Sequence, residues 1–71
     1  MLCPRCEQDD VLRVVITQNS QELFVCPECE ASWLSVNSIK GENFLDFVTY
    51  MRTLGFSGKW SEVTIQSVLS T

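Results

Sequence analysis

The sequence predicts a small α+β domain stapled by a metal ion: a three-stranded antiparallel sheet, then an α-helix, then a short C-terminal element. Three observations support this prediction. The chain has only 71 residues, and a domain of this size buries about 60% of the surface that its unfolded chain exposes, so it usually needs a staple. Its four cysteines form two pairs of equal spacing. Strand-like segments lie in the first half of the chain, and a helix-like segment lies in the second.

The cysteines occur in two copies of one five-residue phrase, CPRCE and CPECE, with nineteen residues between the pairs. Two intervening residues allow both sulfurs of a tight turn to face one centre, and two such turns supply the tetrahedral four-sulfur site that zinc prefers. The prolines preset one backbone torsion in each turn, which lowers the entropy lost when the ligands gather. We expect one zinc ion per chain, bound by Cys3, Cys6, Cys26 and Cys29.

Other uses of the cysteines stay open from sequence alone. A redox pair would need one Cys-x-x-Cys at a strand-to-helix junction, two disulfides would need an oxidising compartment, and a rubredoxin-like iron centre would use the same four ligands. If the ion is zinc, four thiolates close its coordination shell, whereas a hydrolytic zinc keeps an open position. The expected role of the metal is structural.

The expected compartment is the cytoplasm. The first cysteine lies at position 3, which leaves no room for a signal peptide ahead of the folded part. No apolar run approaches the roughly 20 residues of a membrane span.

Residues 1–36 are expected to contain the three strands. Residues 11–17 are rich in β-branched side chains, residues 22–25 run into the second cysteine pair, and residues 31–36 alternate, with Trp33 expected over the core. With their paired CPxC turns, residues 1–36 resemble the zinc-ribbon superfamily, which implies a three-stranded sheet clipped by zinc. Members commonly have glycine after the second cysteine of each turn, where a left-handed backbone is convenient, and Glu7 and Glu30 occupy that place here.

Residues 37–71 are expected to form a helical C-terminal extension of the same single domain. A helix over 43–54 is predicted from the spacing of apolar residues, with Asn43 as its N-cap and Gly55 after its end. The tail fits a strand or a short helix capped by Ser61, and the short helix is favoured. The predicted helix is more widely apolar than a three-stranded sheet requires. We expect Phe56, Trp60 and Ile65 of the tail to cover it, unless part of it docks a partner or a second copy.

The net charge of −4 lies entirely in residues 1–30, which hold six acidic and two basic residues. Four thiolates around one divalent zinc add a formal −2. This acidity, and the lack of a basic stripe, disfavours binding to nucleic acid. An enzyme is not expected either, because the chain has no histidine for acid–base catalysis and its thiols are assigned to the metal.

The function class that remains after these two is a protein-binding module, and an acidic surface favours a basic protein as its partner. The expected contact residues are Asp9, Asp10, Glu28 and Glu30. The pattern CPRC…CPECEASWLS…NFLDFVTYMRTLGFSGKW also resembles small bacterial zinc-ribbon proteins that look like immunity proteins of polymorphic or contact-dependent toxin systems. This resemblance implies a cytoplasmic protein that neutralises a toxin, for example a nuclease with a positively charged substrate site. The alternative is a transcription- or RNA-associated ribbon that contacts nucleic acid or its machinery.

Overall fold

The fold is a five-stranded antiparallel sheet with one α-helix, seen in a computed structural model that describes residues 1–69. The spatial order of the strands is β4-β3-β2-β1-β5. The helix α1 spans Phe47–Thr53, and two short 3₁₀ turns span Val36–Ser38 and Trp60–Glu62. The strands are β1 (Leu12–Ile16), β2 (Glu22–Val25), β3 (Ala31–Trp33), β4 (Leu45–Asp46) and β5 (Val63–Val68).

The predicted hairpin is present as β1 and β2. These strands pair antiparallel with Leu12 opposite Val25 and Val14 opposite Leu23. In the turn between them, the Asn19 side chain accepts a hydrogen bond of 2.9 Å from the backbone N–H of Gln21, as short polar side chains commonly do in turns. Because Leu12 and Val25 are partners, the two cysteine turns that flank this hairpin lie at the same end of the sheet.

The sheet has five strands, not the three that we expected. Strand β3 ends at Trp33, so residues 34–36 do not continue it as expected, and a 3₁₀ turn begins at Val36. Strands β4 and β5 both come from the segment expected to be helical. The preferred prediction of a short C-terminal helix is wrong, and the strand alternative is right. Ser61 lies in a 3₁₀ turn, and β5 instead supplies backbone partners along the free edge of β1, a tertiary requirement that local periodicity does not reveal.

The helix is shorter than predicted, beginning at Phe47 and not near residue 43. Residues 45–46 are extended and pair with β3, so the helix cannot begin before them. Asp46, not Asn43, is the N-cap, and its carboxylate accepts hydrogen bonds from the backbone N–H and the hydroxyl of Thr49. The predicted C-terminal signal is confirmed: Gly55 has φ 90°, and the N–H of Phe56 returns to the carbonyl of Met51.

Two apolar clusters lie on the two faces of the sheet. The helix-side core packs α1 against β1 and β2, and in it the rings of Phe47 and Trp60 stack with centroids 5.0 Å apart. The metal-side core surrounds Trp33, which is 1% exposed and donates an indole hydrogen bond to the carbonyl of Lys40. The metal-side core comprises Cys3, Val11, Phe24, Cys26, Ala31, Trp33, Ile39 and Leu69.

The tail covers the helix-side core only in part. Phe56 and Trp60 pack against this core as expected. Ile65, however, is 57% exposed on β5. Within residues 1–69, no helix has the length and apolar character needed to cross a membrane.

Candidate metal centre

The two cysteine turns have the same backbone geometry. The carbonyl of Cys3 accepts a hydrogen bond of 3.0 Å from the N–H of Glu7, and the carbonyl of Cys26 accepts one of 2.8 Å from the N–H of Glu30. Both glutamates adopt left-handed φ values, 55° and 62°. The turns therefore need the backbone that glycine supplies most easily, even though the sequence places glutamate there.

The four cysteine sulfurs form one cluster. All lie within 4.8 Å of one another. The Sγ atoms of Cys3 and Cys29 are 3.8 Å apart, and those of Cys6 and Cys26 are 3.6 Å apart. A disulfide would place two sulfurs about 2.05 Å apart, whereas tetrahedral ligands about 2.3 Å from a zinc ion are separated by about 3.8 Å. The donor set thus fits a single tetrahedral ion, with all four cysteines as free thiols.

Burial makes a bare thiolate unfavourable in this cluster. Cys3 and Cys26 are fully buried in the metal-side core. Burial raises the pKa of the Cys26 thiol to about 12, although backbone N–H groups of Cys29 and Glu28 bond to the sulfur and oppose this effect. A cation at the centre of the cluster would replace the protons and compensate the charge of the thiolates.

Arg5, in the first cysteine turn, contacts both the second cysteine turn and the loop that precedes β4. Its guanidinium lies 4.2 Å from the centroid of the Phe44 ring and donates a 3.4 Å hydrogen bond to the carbonyl of Cys29. Gly41 lies in the loop that also contains Phe44, and a Cβ on Gly41 would lie only 2.8 Å from the Pro4 carbonyl oxygen. The loop that precedes β4 therefore packs tightly on the first cysteine turn, a relationship that the sequence did not indicate.

Glu30 connects the second turn to the C-terminal part of the chain. Its side-chain Oε2 accepts a hydrogen bond of 2.9 Å from the Trp60 indole N–H. Its backbone carbonyl accepts bonds from the Phe47 N–H and the Ser32 hydroxyl. Sequence reasoning assigned Glu30 to a partner surface and missed this contact. The sequence did not indicate this contact, because Glu7 occupies the equivalent position of the first turn and is exposed.

The remaining acidic candidates are exposed at the metal end of the sheet. Asp9 and Asp10 lie between the first turn and β1, and Glu28 lies within the second turn. The Asp9 carboxylate accepts a hydrogen bond from the Asp10 N–H. Glu30 differs from these three because it is only partly exposed and is bonded to Trp60.

Two of the five basic side chains are engaged by neighbouring groups. Arg5 is engaged with Phe44 and the second cysteine turn, and Arg13 pairs with Glu22 at 3.4 Å. The other three basic residues are Lys40, Arg52 and Lys59.

No protein-family model, curated protein or solved structure gives a significant match to this chain. The resemblance to zinc ribbons rests on the cysteine spacing and stays a prediction.

Proposed function

We propose that this chain is a structural-zinc protein that binds a basic protein partner. The observation that carries the metal proposal is the set of four cysteine sulfurs that all lie within 4.8 Å of one another. Soft thiolates favour zinc or iron over hard cations, and a redox-inert zinc suits a site with no open position. The ion holds the two turns together and fixes the end of the sheet from which they extend.

The acidic surface at the metal end supports the partner proposal. Asp9, Asp10 and Glu28 are exposed next to the cluster, and four thiolates around one divalent ion add negative charge at the same place. A field of this sign accelerates association with a cationic protein and opposes contact with phosphate. Because the Glu30 carboxylate is bonded to the Trp60 indole, we assign Glu30 to holding the second cysteine turn in place and not to contact with the partner.

The most concrete form of this function is toxin immunity in a bacterial cytoplasm. An acidic protein can occupy the positively charged substrate site of a nuclease and exclude the nucleic acid from it. Capture of a basic protein from lysate of the source organism by the zinc-loaded chain, followed by purification of that protein, supplies the partner for measurement. Its association rate should fall as salt rises, and a nuclease partner should lose activity when the chain is added.

Charge variants test which surface is used. Asp9→Lys combined with Glu28→Lys should slow association with the purified partner, whereas Gln18→Lys, in the hairpin turn at the opposite end of β1, should leave the rate nearly unchanged. Equal zinc content in all three proteins shows that the metal centre is intact. An association rate that does not respond to the double substitution contradicts the proposed surface. Capture of nucleic acid that survives moderate salt would favour the transcription- or RNA-associated alternative.

A further inference from the structure

Strand β5 is an uncharged edge of the sheet. It is the longest of the five strands, and among residues 1–69 it has a pairing partner, β1, on one side only. Its sequence, VTIQSV, contains no charged residue and no proline. Natural edge strands are usually protected from pairing with other chains by charged side chains, prolines or bulges. Of these protections, β5 has only a bulge at Gln66, which lies between the partners of Arg13 and Val14.

Two aliphatic side chains stand on the same face of this edge. Ile65 is the partner of Val14, and Val68 is the partner of Leu12. Partners across an antiparallel pair point to the same face, so both lie on the face that α1 covers farther along the sheet. With residues 1–69 in place, Ile65 is 57% exposed and Val68 is 56% exposed. An open edge and a strip of apolar surface therefore occur together on β5.

We propose that two copies of this chain associate by pairing their β5 strands antiparallel about a twofold axis. The ladder would continue both sheets into one, and Ile65 and Val68 of each copy would lie beside those of the other. The pairing uses the β5 edge of both copies, so it closes at two copies and does not propagate. This inference goes beyond the proposed function and does not depend on the identity of the metal or the basic partner.

Charge distribution favours a second copy as the occupant. A basic partner gains no attraction from an uncharged strand, whereas two acidic copies can approach where neither carries charge. The end of β5 at Val68 lies beside the metal end of the sheet, and the end at Val63 lies beside the hairpin turn. Antiparallel pairing therefore places the two acidic metal ends at opposite ends of the joined strands, about 20 Å apart for six residues. Parallel pairing would bring them together.

The bulge limits the strength of this association. It interrupts the regular alternation of β5 and increases the local twist, so the shared ladder is short. We expect a dimer that dissociates on dilution, with its population set by mass action.

Sedimentation or light scattering of the zinc-loaded full chain over about a hundredfold range of concentration tests the proposal. The mass should rise from one copy toward two and then level. Ile65→Lys places a charge on the edge and should keep the protein monomeric at every concentration. Leu34→Lys is the matched control, because Leu34 is 51% exposed but lies outside β5, and it should dimerise like the parent chain.

Folding of each variant is checked by zinc content and tryptophan fluorescence, and Val68→Lys replaces Ile65→Lys if the latter fails to fold. Amide hydrogen exchange in the parent chain should show protection of β5 that increases with concentration. A parent chain that is monomeric throughout, a mass that exceeds two copies, or equal effects of the β5 and Leu34 substitutions would each overturn the proposal.

Discussion

The Glu30 carboxylate accepts a hydrogen bond of 2.9 Å from the indole of Trp60, thirty residues along the chain. Glu30 directly follows Cys29 of the cysteine cluster, and Trp60 stacks on Phe47 at the start of α1. The Glu30 side chain thus joins the second cysteine turn to the helix-side core. This contact gives the Glu30 side chain a role that glycine at this position could not fill.

The two glutamates of the repeated phrase should respond in opposite ways to substitution by glycine. Glu7→Gly removes left-handed strain from an exposed residue and should change the free energy of unfolding by at most about 1 kcal/mol, in the stabilising direction. Glu30→Gly relieves similar strain but loses a charge-assisted hydrogen bond, which costs about 1.5–3 kcal/mol. Denaturant unfolding of the zinc-loaded proteins measures both. Equal stabilisation by the two substitutions would show that the Trp60 contact contributes nothing.

Removal of the metal should unfold the metal end of the sheet. Ligand gathering and folding are coupled in small four-cysteine sites, where apparent binding free energies are about 10–16 kcal/mol. We expect one zinc ion per chain by elemental analysis and loss of the β1–β2 amide protection after chelation. Cys26→Ser should lose the metal, and the matched surface substitution Ser38→Ala should retain it. A chelated chain that keeps its sheet protection would contradict a structural role, and iron in the purified protein would change the assignment of the metal.

The loop before β5 should lose stability in acid through Glu62. The Glu62 carboxylate accepts hydrogen bonds from the backbone N–H groups of Ser57, Lys59 and Gly58. These bonds lower the pKa of Glu62 below the usual glutamate value. A lowered pKa in the folded state means that the contribution is fully present above the ordinary glutamate pKa and is lost as pH falls through the lowered value.

The difference in unfolding free energy between the parent chain and Glu62→Gln should therefore be largest near neutral pH. It should shrink as the pH falls from the ordinary glutamate pKa through the lowered pKa of Glu62. Glu42→Gln, a substitution of an exposed glutamate, provides the control for general charge effects. Because acid also releases thiolate-bound metal, both comparisons use the difference between variants at each pH. A difference that stays constant with pH would argue against the carboxylate as the acceptor.

Alanine substitutions at two glycines distinguish the cost of backbone strain from the cost of a steric clash. Gly55 and Gly58 have nearly equal positive φ values, 90° and 89°. A Cβ on Gly55 meets nothing within 4 Å, whereas a Cβ on Gly58 would lie 2.9 Å from the Cα of Val48. Gly55→Ala should cost about 1–2 kcal/mol from strain alone, and Gly58→Ala should cost more because α1 must move. Thermal unfolding checks the order, and equal costs would mean that the tail does not pack closely on α1.

The sequence predicted most securely what depends on local chemistry. The cysteine spacing identified the cysteine cluster, β-branched runs identified β1 and β2, and the glycine at position 55 identified the end of the helix. The strand and helix-end signals act within a few residues, and each cysteine pair specifies its own turn in the same way.

The features that sequence reasoning missed depend on distant partners. Leu45 and Asp46 pair with β3, and this pairing delays the start of the helix. Residues 63–68 become a strand because β1 has a free edge, not because their own period requires it. The contact between Arg5 and Phe44 joins segments that share no sequence pattern, so neither periodicity nor spacing could indicate it.

The position of β1 between β2 and β5 has a consequence for how the chain folds. Its β2 neighbour is separated from it by a short turn, but its β5 neighbour lies far along the chain, with Leu12 opposite Val68. Local pairs form quickly and distant pairs slowly, because closing a longer loop costs more entropy. The hairpin and its two cysteine turns can therefore assemble during synthesis while β1 still has one open side. Pairing of β5 with the open side of β1 then follows as the later step.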